Sequence, residues 1–137
     1  MAPHRRTILV ADDEPIVRNV MASILTHANY RVLEADSAAE ALTVSTAFED
    51  VIDLLITDHI LKTLTGRQLA ERMLQDRPDL KVLHVSGHSQ QRLAEEGGIM
   101  PGAEFLPKPF TAQMLKEKVR QMIGDGSATP LARISHQ

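Results

Sequence analysis

Five polar side chains stand at or just beyond the ends of short apolar runs, and their types suit one kind of chemistry. Asp12 and Asp13 follow TILVA, Asp58 follows LLIT, Ser86 closes KVLHVS and Lys108 lies in LPKPF. If those runs are neighbouring strands of one sheet, all five groups converge at its carboxyl-terminal edge. Three carboxylates brought together repel one another and drive at least one pKa upward. A hard divalent cation relieves that repulsion. The chain has no cysteine and no clustered imidazole, so the donors are oxygens, which points to Mg2+, an ion commonly held by a few carboxylates and completed by water and phosphate oxygens. A carboxylate beside such an ion, with a hydroxyl and an ammonium opposite, suits phosphoryl chemistry: the cation and lysine neutralise phosphoryl oxygens while the carboxylate attacks phosphorus. Asp58, mounted on the end of a buried run, is the best nucleophile.

Such a site needs a rigid sheet to hold it. Strand-like runs recur as TILVA (7–11), YRVLEA (30–35), DLLIT (53–57), KVLHVS (81–86) and AEFL (103–106), with starts 22 to 28 residues apart. Helical patterns lie between them. Ile16, Val17, Val20, Met21, Ile24 and Leu25 recur at helical spacing, with Pro15 suited to a first turn. Ser37 with Glu40 and Thr65 with Gln68 have the form of capping boxes, opening helices that bury Ala41, Leu42 and Phe48, and Leu69, Met73 and Leu74. Pro78 closes the second of these. A short helix is expected after Ser89, interrupted by Gly97-Gly98, and Thr111 starts a fifth that buries Leu115, Val119, Met122 and Ile123. Near-continuous apolar strands alternating with helices imply a parallel sheet covered on both faces. The expected fold is α/β, a doubly wound five-stranded parallel sheet of flavodoxin-like (βα)5 form with strand order 2-1-3-4-5. Residues 1–123 are read as the domain and 124–137, polar and unpatterned, as a tail.

Composition agrees with one domain of 137 residues. Apolar residues make up 43% and charged residues 24%, ordinary for a globular chain. The net charge is −3 with no basic stripe, so neither direct nucleic-acid binding nor a membrane surface is expected. Absence of cysteine, and an N-terminus unlike a signal peptide, lead to a cytoplasmic expectation.

ADDEP (11–15), ITD (56–58), Gly66 eight residues after Asp58, VSGH (85–88) and LPKPF (106–110), in that order, resemble the receiver domain of two-component response regulators over roughly residues 6–123. The resemblance implies that Asp58 is the phosphoacceptor. It implies that Asp13 and Asp58 bind Mg2+ directly, that Asp12 acts through water and that the Ile60 main-chain carbonyl is a further ligand. Ser86 would hydrogen-bond the phosphoryl group, Lys108 would pair with it, and Phe105 would be the switch aromatic. The donor would be a histidine kinase, a histidine phosphotransfer protein or a small phosphodonor. The output partner would bind the face made by the fourth helix, fifth strand and fifth helix. VSGH and RPDLKVL also resemble receivers of hybrid histidine kinases, which implies a place in a phosphorelay. The expectation is a stand-alone regulator that catalyses only its own phosphorylation and dephosphorylation; a homodimer is left open.

Some positions depart from the family pattern or invite other readings. Leu61-Lys62 replaces the usual Met-Pro, which removes a backbone restraint and adds a cation. Ile60 and His88 stand at two positions that the resembled family uses to tune hydrolysis, and Ile60 lacks a polar group to orient water, so slow self-dephosphorylation is expected. Asp12 and Asp13 alone would read as acids complementing a helix dipole; Phe105 alone would be core. His84 on a strand and His88 in a loop do not make a zinc pair. A flavin protein would need a glycine- and hydroxyl-rich loop in place of ADDE, and a haloacid-dehalogenase-like phosphatase would need an acid where Ile60 stands. The remaining alternative is a phosphorylation-independent interaction module of the same fold, supported by Lys62.

Overall fold

The computed structural model describes residues 4–61, 64–87 and 98–128. Its central sheet has five parallel strands: β2 (Thr7–Ala11), β3 (Arg31–Ala35), β4 (Leu54–Asp58), β5 (Lys81–Ser86) and β6 (Glu104–Pro107). Their spatial order is β3-β2-β4-β5-β6, so counting these five alone gives the expected 2-1-3-4-5. In register, Ala11 meets Ala35 and Thr57, Asp58 meets Val85, and Ser86 meets Pro107. Two strands keep their expected bounds; the other three shift by a residue at one end or both.

Alternate residues of the strands build two cores. Ile8, Val10, Leu54, Ile56, Leu83 and Val85 pack with Met21 and Leu25 of α1 (Pro15–His27) and with Leu115 and Val119 of α4 (Ala112–Ile123). Leu9, Ala11, Leu55 and Val82 pack with Ala38 and Ala41 of α2 (Ala38–Ala47) and with Leu69, Ala70 and Met73 of α3 (Gly66–Asp76). Both faces of the sheet are thereby covered, which explains why the central strands β2, β4 and β5 are buried almost without alternation. The helix expected after Ser89 lies outside the described residues.

Local signals start the helices. Pro15 opens α1. At α3, Thr65 Oγ1 accepts the Gln68 N–H at 3.1 Å while Gln68 Oε1 accepts the Thr65 N–H at 2.9 Å, a complete capping box. At α2 the cap is modified: Ser37 Oγ accepts the Glu40 N–H, but Glu40 reaches the Asp36 N–H at 2.7 Å instead of that of Ser37. The apolar stripe of α1 is wider than its buried face. Ile16 is 78% exposed and Val20 51%, because the helix turns Met21, Ala22 and Leu25 to the sheet.

A second, antiparallel pair joins β1 (His4–Arg5) to β7 (Ser127–Ala128). Gly126 accepts the Arg6 N–H at 2.9 Å, and Gly124 accepts the Tyr30 hydroxyl at 2.5 Å. A Cβ on Gly126 would overlap the main chain of Asn29, so only glycine fits there. Residues 124–128 of the segment expected as a tail are thus packed on the domain.

Candidate functional site

The carboxyl ends of β2 and β4, which are neighbours, place Asp12 and Asp58 side by side. Lys108, one residue beyond β6, reaches between them: Nζ lies 3.2 Å from Asp12 Oδ2, 3.3 Å from Asp58 Oδ2 and 3.8 Å from Glu14 Oε1. Its backbone is tied to β5, since the Lys108 N–H donates to the Ser86 carbonyl at 2.8 Å. Ser86 is itself buried. Asp12, Asp58, Ser86 and Lys108 therefore gather at one edge of the sheet, as their spacing in sequence predicts.

Each carboxylate is held by its surroundings. Asp12 is fully buried; its N–H donates to the Ala35 carbonyl at 3.1 Å and its Oδ1 accepts the Glu14 N–H at 2.9 Å. Asp58 ends a strand whose preceding four residues are buried, and its Oδ1 accepts the Ile60 N–H at 3.5 Å. Its carbonyl accepts the Thr57 hydroxyl at 2.9 Å. The chain then folds back, with Ile60 bridged to Thr65 and the Gly66 N–H donating to His59 O at 2.6 Å. A Cβ on Gly66 would overlap the Asp58 carbonyl. That approach explains why a glycine stands eight residues beyond the aspartate.

Burial raises the Asp58 pKa, Lys108 opposes the rise and the negative charge of Asp12 adds to it. For Lys108, burial alone would lower the pKa, but Asp58 and Asp12 together outweigh it and hold the ammonium above its ordinary value. The lysine is a fixed cation at neutral pH.

Asp12, Glu14 and Asp58 can each offer a carboxylate oxygen within 4.8 Å of the others. An oxygen-only donor set, with Asp12 buried, Asp58 half-buried and Glu14 exposed, that already draws the Lys108 cation fits a hard divalent ion such as Mg2+. Asp13, which the resemblance makes a direct ligand, is half-buried and does not belong to that group of three. Glu14 does, although its sequence position reads only as the approach to a helix. The exposed side chain of Ile60 flanks the site. Lys62 and His88 lie outside the described residues.

His59 and His84 lie on the opposite face of the sheet from Asp58, both buried, with ring centroids 6.2 Å apart. Burial, the neighbouring His59 and the Arg67 cation lower the His84 pKa to about 4. His84 is in register with Phe105, which is half-buried. The two side chains therefore leave neighbouring strands on the same face of the sheet.

Residues 8–120 match the model of the response regulator receiver domain, and the chain belongs to that family, the receiver modules of two-component systems. A chemotaxis protein CheY homolog of Campylobacter jejuni is 34% identical over 126 residues, which cover 88% of this chain and 94% of that protein. The sensor kinase CckA of Brucella abortus is 30% identical over 117 residues, covering 85% of this chain but 12% of the kinase, so the chain spans only a small part of that relative. The crystal structure of a response regulator receiver protein from Sinorhizobium medicae superposes with a TM-score of 0.76 at 32% identity, covering 87% of this chain and 94% of its own.

Proposed function

We propose that this chain is a response-regulator receiver that accepts a phosphoryl group on Asp58 and transmits the signal by changing its partner contacts. The observation that carries this is the Lys108 ammonium held between Asp12 and Asp58 at the ends of adjacent strands. An ionised Asp58 oxygen attacks phosphorus of a phosphohistidine or acyl phosphate donor. The new oxygen–phosphorus bond forms as the bond to the leaving imidazole or carboxylate breaks, and imidazole departs neutral after taking a proton. Mg2+, when bound by the carboxylates of Asp12, Asp58 and either Asp13 or Glu14 with the Ile60 carbonyl, supplies positive charge for the phosphoryl oxygens.

Lys108 pairs with the incoming group, and its position is secured from β5. Ser86, at the end of that strand, donates its hydroxyl to a phosphoryl oxygen. Phosphorylation adds negative charge and strong acceptors, drawing Ser86 and the loop after it toward Asp58. Phe105 then turns inward, altering the face formed by β6, α4 and the helix expected after Ser89. A downstream protein reads that face. The donor is a histidine kinase or histidine phosphotransfer protein, and the match to a sensor kinase supports a relay position. The setting is cytoplasmic; no helix among the described residues is long and apolar enough to cross a membrane.

Intact mass after incubation with acetyl phosphate tests the proposal. One added phosphoryl group, dependent on Mg2+ and absent in Asp58→Asn, is expected. No addition to the folded wild type from acetyl phosphate or a cognate kinase would favour the phosphorylation-independent module.

A further inference from the structure

Arg18 stands at the fourth position of α1, where a cation faces the positive end of the helix dipole. Local preference at that place favours an acid, and α1 has none in its first turn. The side chain is nevertheless drawn in, with 17% of its surface exposed. One guanidinium nitrogen, Nη1, donates to the Asp12 main-chain carbonyl at 2.9 Å, while Nε lies 3.4 Å from the Glu34 carboxylate on β3. An exposed ion pair alone would contribute little to stability. The bond to Asp12 is different in kind, because it reaches the backbone of the site.

Asp12 is then fixed at every polar atom. Ala35 holds its N–H, Glu14 and Lys108 hold its two carboxylate oxygens, and Arg18 holds its carbonyl. That carbonyl belongs to the peptide joining Asp12 to Asp13, so its plane sets the direction from which both side chains leave. Resting on the acceptor reading of this site, we propose that Arg18 is a positioning residue for cation loading and phosphoryl acceptance. It orients the Asp12–Asp13 peptide, and Glu34 buttresses it from the neighbouring strand. Mg2+ tolerates little departure from octahedral geometry. Small rotations of this peptide should therefore reach metal affinity before they reach the fold.

Calorimetric titration with Mg2+, on the full chain, tests the assignment in wild type, Arg18→Ala, Arg18→Lys and Glu34→Gln. Loss of an outer partner of this sort typically weakens metal affinity by about 10-fold or more. Arg18→Ala is expected to bind Mg2+ about 10-fold more weakly, with Arg18→Lys between it and wild type and Glu34→Gln shifted less in the same direction. Saturating Mg2+ should restore the initial rate of phosphorylation by acetyl phosphate. Arg18→Lys and Glu34→Gln carry the test if the alanine variant does not fold. Affinities within twofold of wild type, or a rate defect that saturating Mg2+ leaves and that follows lost thermal stability, would overturn the role of Arg18. A folded wild type that takes up neither Mg2+ nor a phosphoryl group would overturn the acceptor reading and this inference together. Normal wild-type behaviour with an unchanged Arg18→Ala overturns Arg18 alone.

Discussion

Asp58 is an ionisable group under opposing influences: burial and Asp12 disfavour its charge, and Lys108 favours it. Since its pKa is raised, the folded state holds the proton more readily than the unfolded one, and stability from this group declines as pH rises above the ordinary value of 3.8. At neutral pH without metal, Asp58→Asn should therefore raise the thermal midpoint, while abolishing phosphoryl uptake. A lower midpoint in differential scanning calorimetry would mean that the Lys108 pairing outweighs burial. Ile60 makes a kinetic prediction. Its exposed apolar side chain cannot orient water, so Ile60→Asn should speed loss of the phosphoryl group by about 10-fold, measured as intact mass against time; a wild-type half-life of seconds with Mg2+ would contradict the expectation. Asp12, Asp58, Ser86 and Lys108 were legible because each sits at or just past the end of a recognisable run. Glu14 and Arg18 were not: one depends on how the turn into α1 aims a side chain, the other on a bond to a carbonyl that leaves no residue pattern.

At the scale of elements, the return from β4 to α3 is the most constrained segment of the site. Gly66 begins α3, is buried, and lies against the Asp58 carbonyl. Gly66→Ala must displace backbone that also carries the phosphoacceptor, at a cost of about 2–3 kcal/mol in chemical denaturation, and phosphoryl uptake should fall with it. An unchanged midpoint would show that the turn yields more easily than its packing indicates. Sequence periodicity identified α1 and the strands well because a long stripe or a dense apolar run leaves many coincident signals. It overstated the buried face of α1, since Ile16 and Val20 share the helical spacing of Met21 and Leu25 yet face outward. The β1–β7 pair was invisible for the opposite reason: two-residue strands have no period to detect.

Over the whole molecule, the buried side chain of His84 links stability to pH. His84 folds with its pKa lowered to about 4 from 6.5, so the unfolded chain binds the extra proton first. Stability from this group is present above pH 6.5 and is lost as pH falls toward 4, by up to about 3 kcal/mol. His84→Met should flatten that limb of the stability curve in urea titrations across the same window; an unaltered limb would assign it to other groups. The fold places the His59–His84 pair on one face of the sheet and the charged site on the other, so packing and chemistry share strands without sharing surroundings. The parallel order of the sheet was readable from alternation of strand and helix. The closing of the N-terminus against residues 124–128 was not, because it depends on two glycine carbonyls and a tyrosine hydroxyl far apart in sequence.

The identity of the nucleophile can be measured directly by reducing the acetyl phosphate-treated protein with borohydride, which converts an aspartyl phosphate to homoserine, and mapping peptides by mass. Homoserine at position 58 alone, formed only with Mg2+, is the predicted result. Homoserine at position 12 or 13, or a phosphoryl group retained on Ser86, would contradict the assignment of Asp58 as the acceptor.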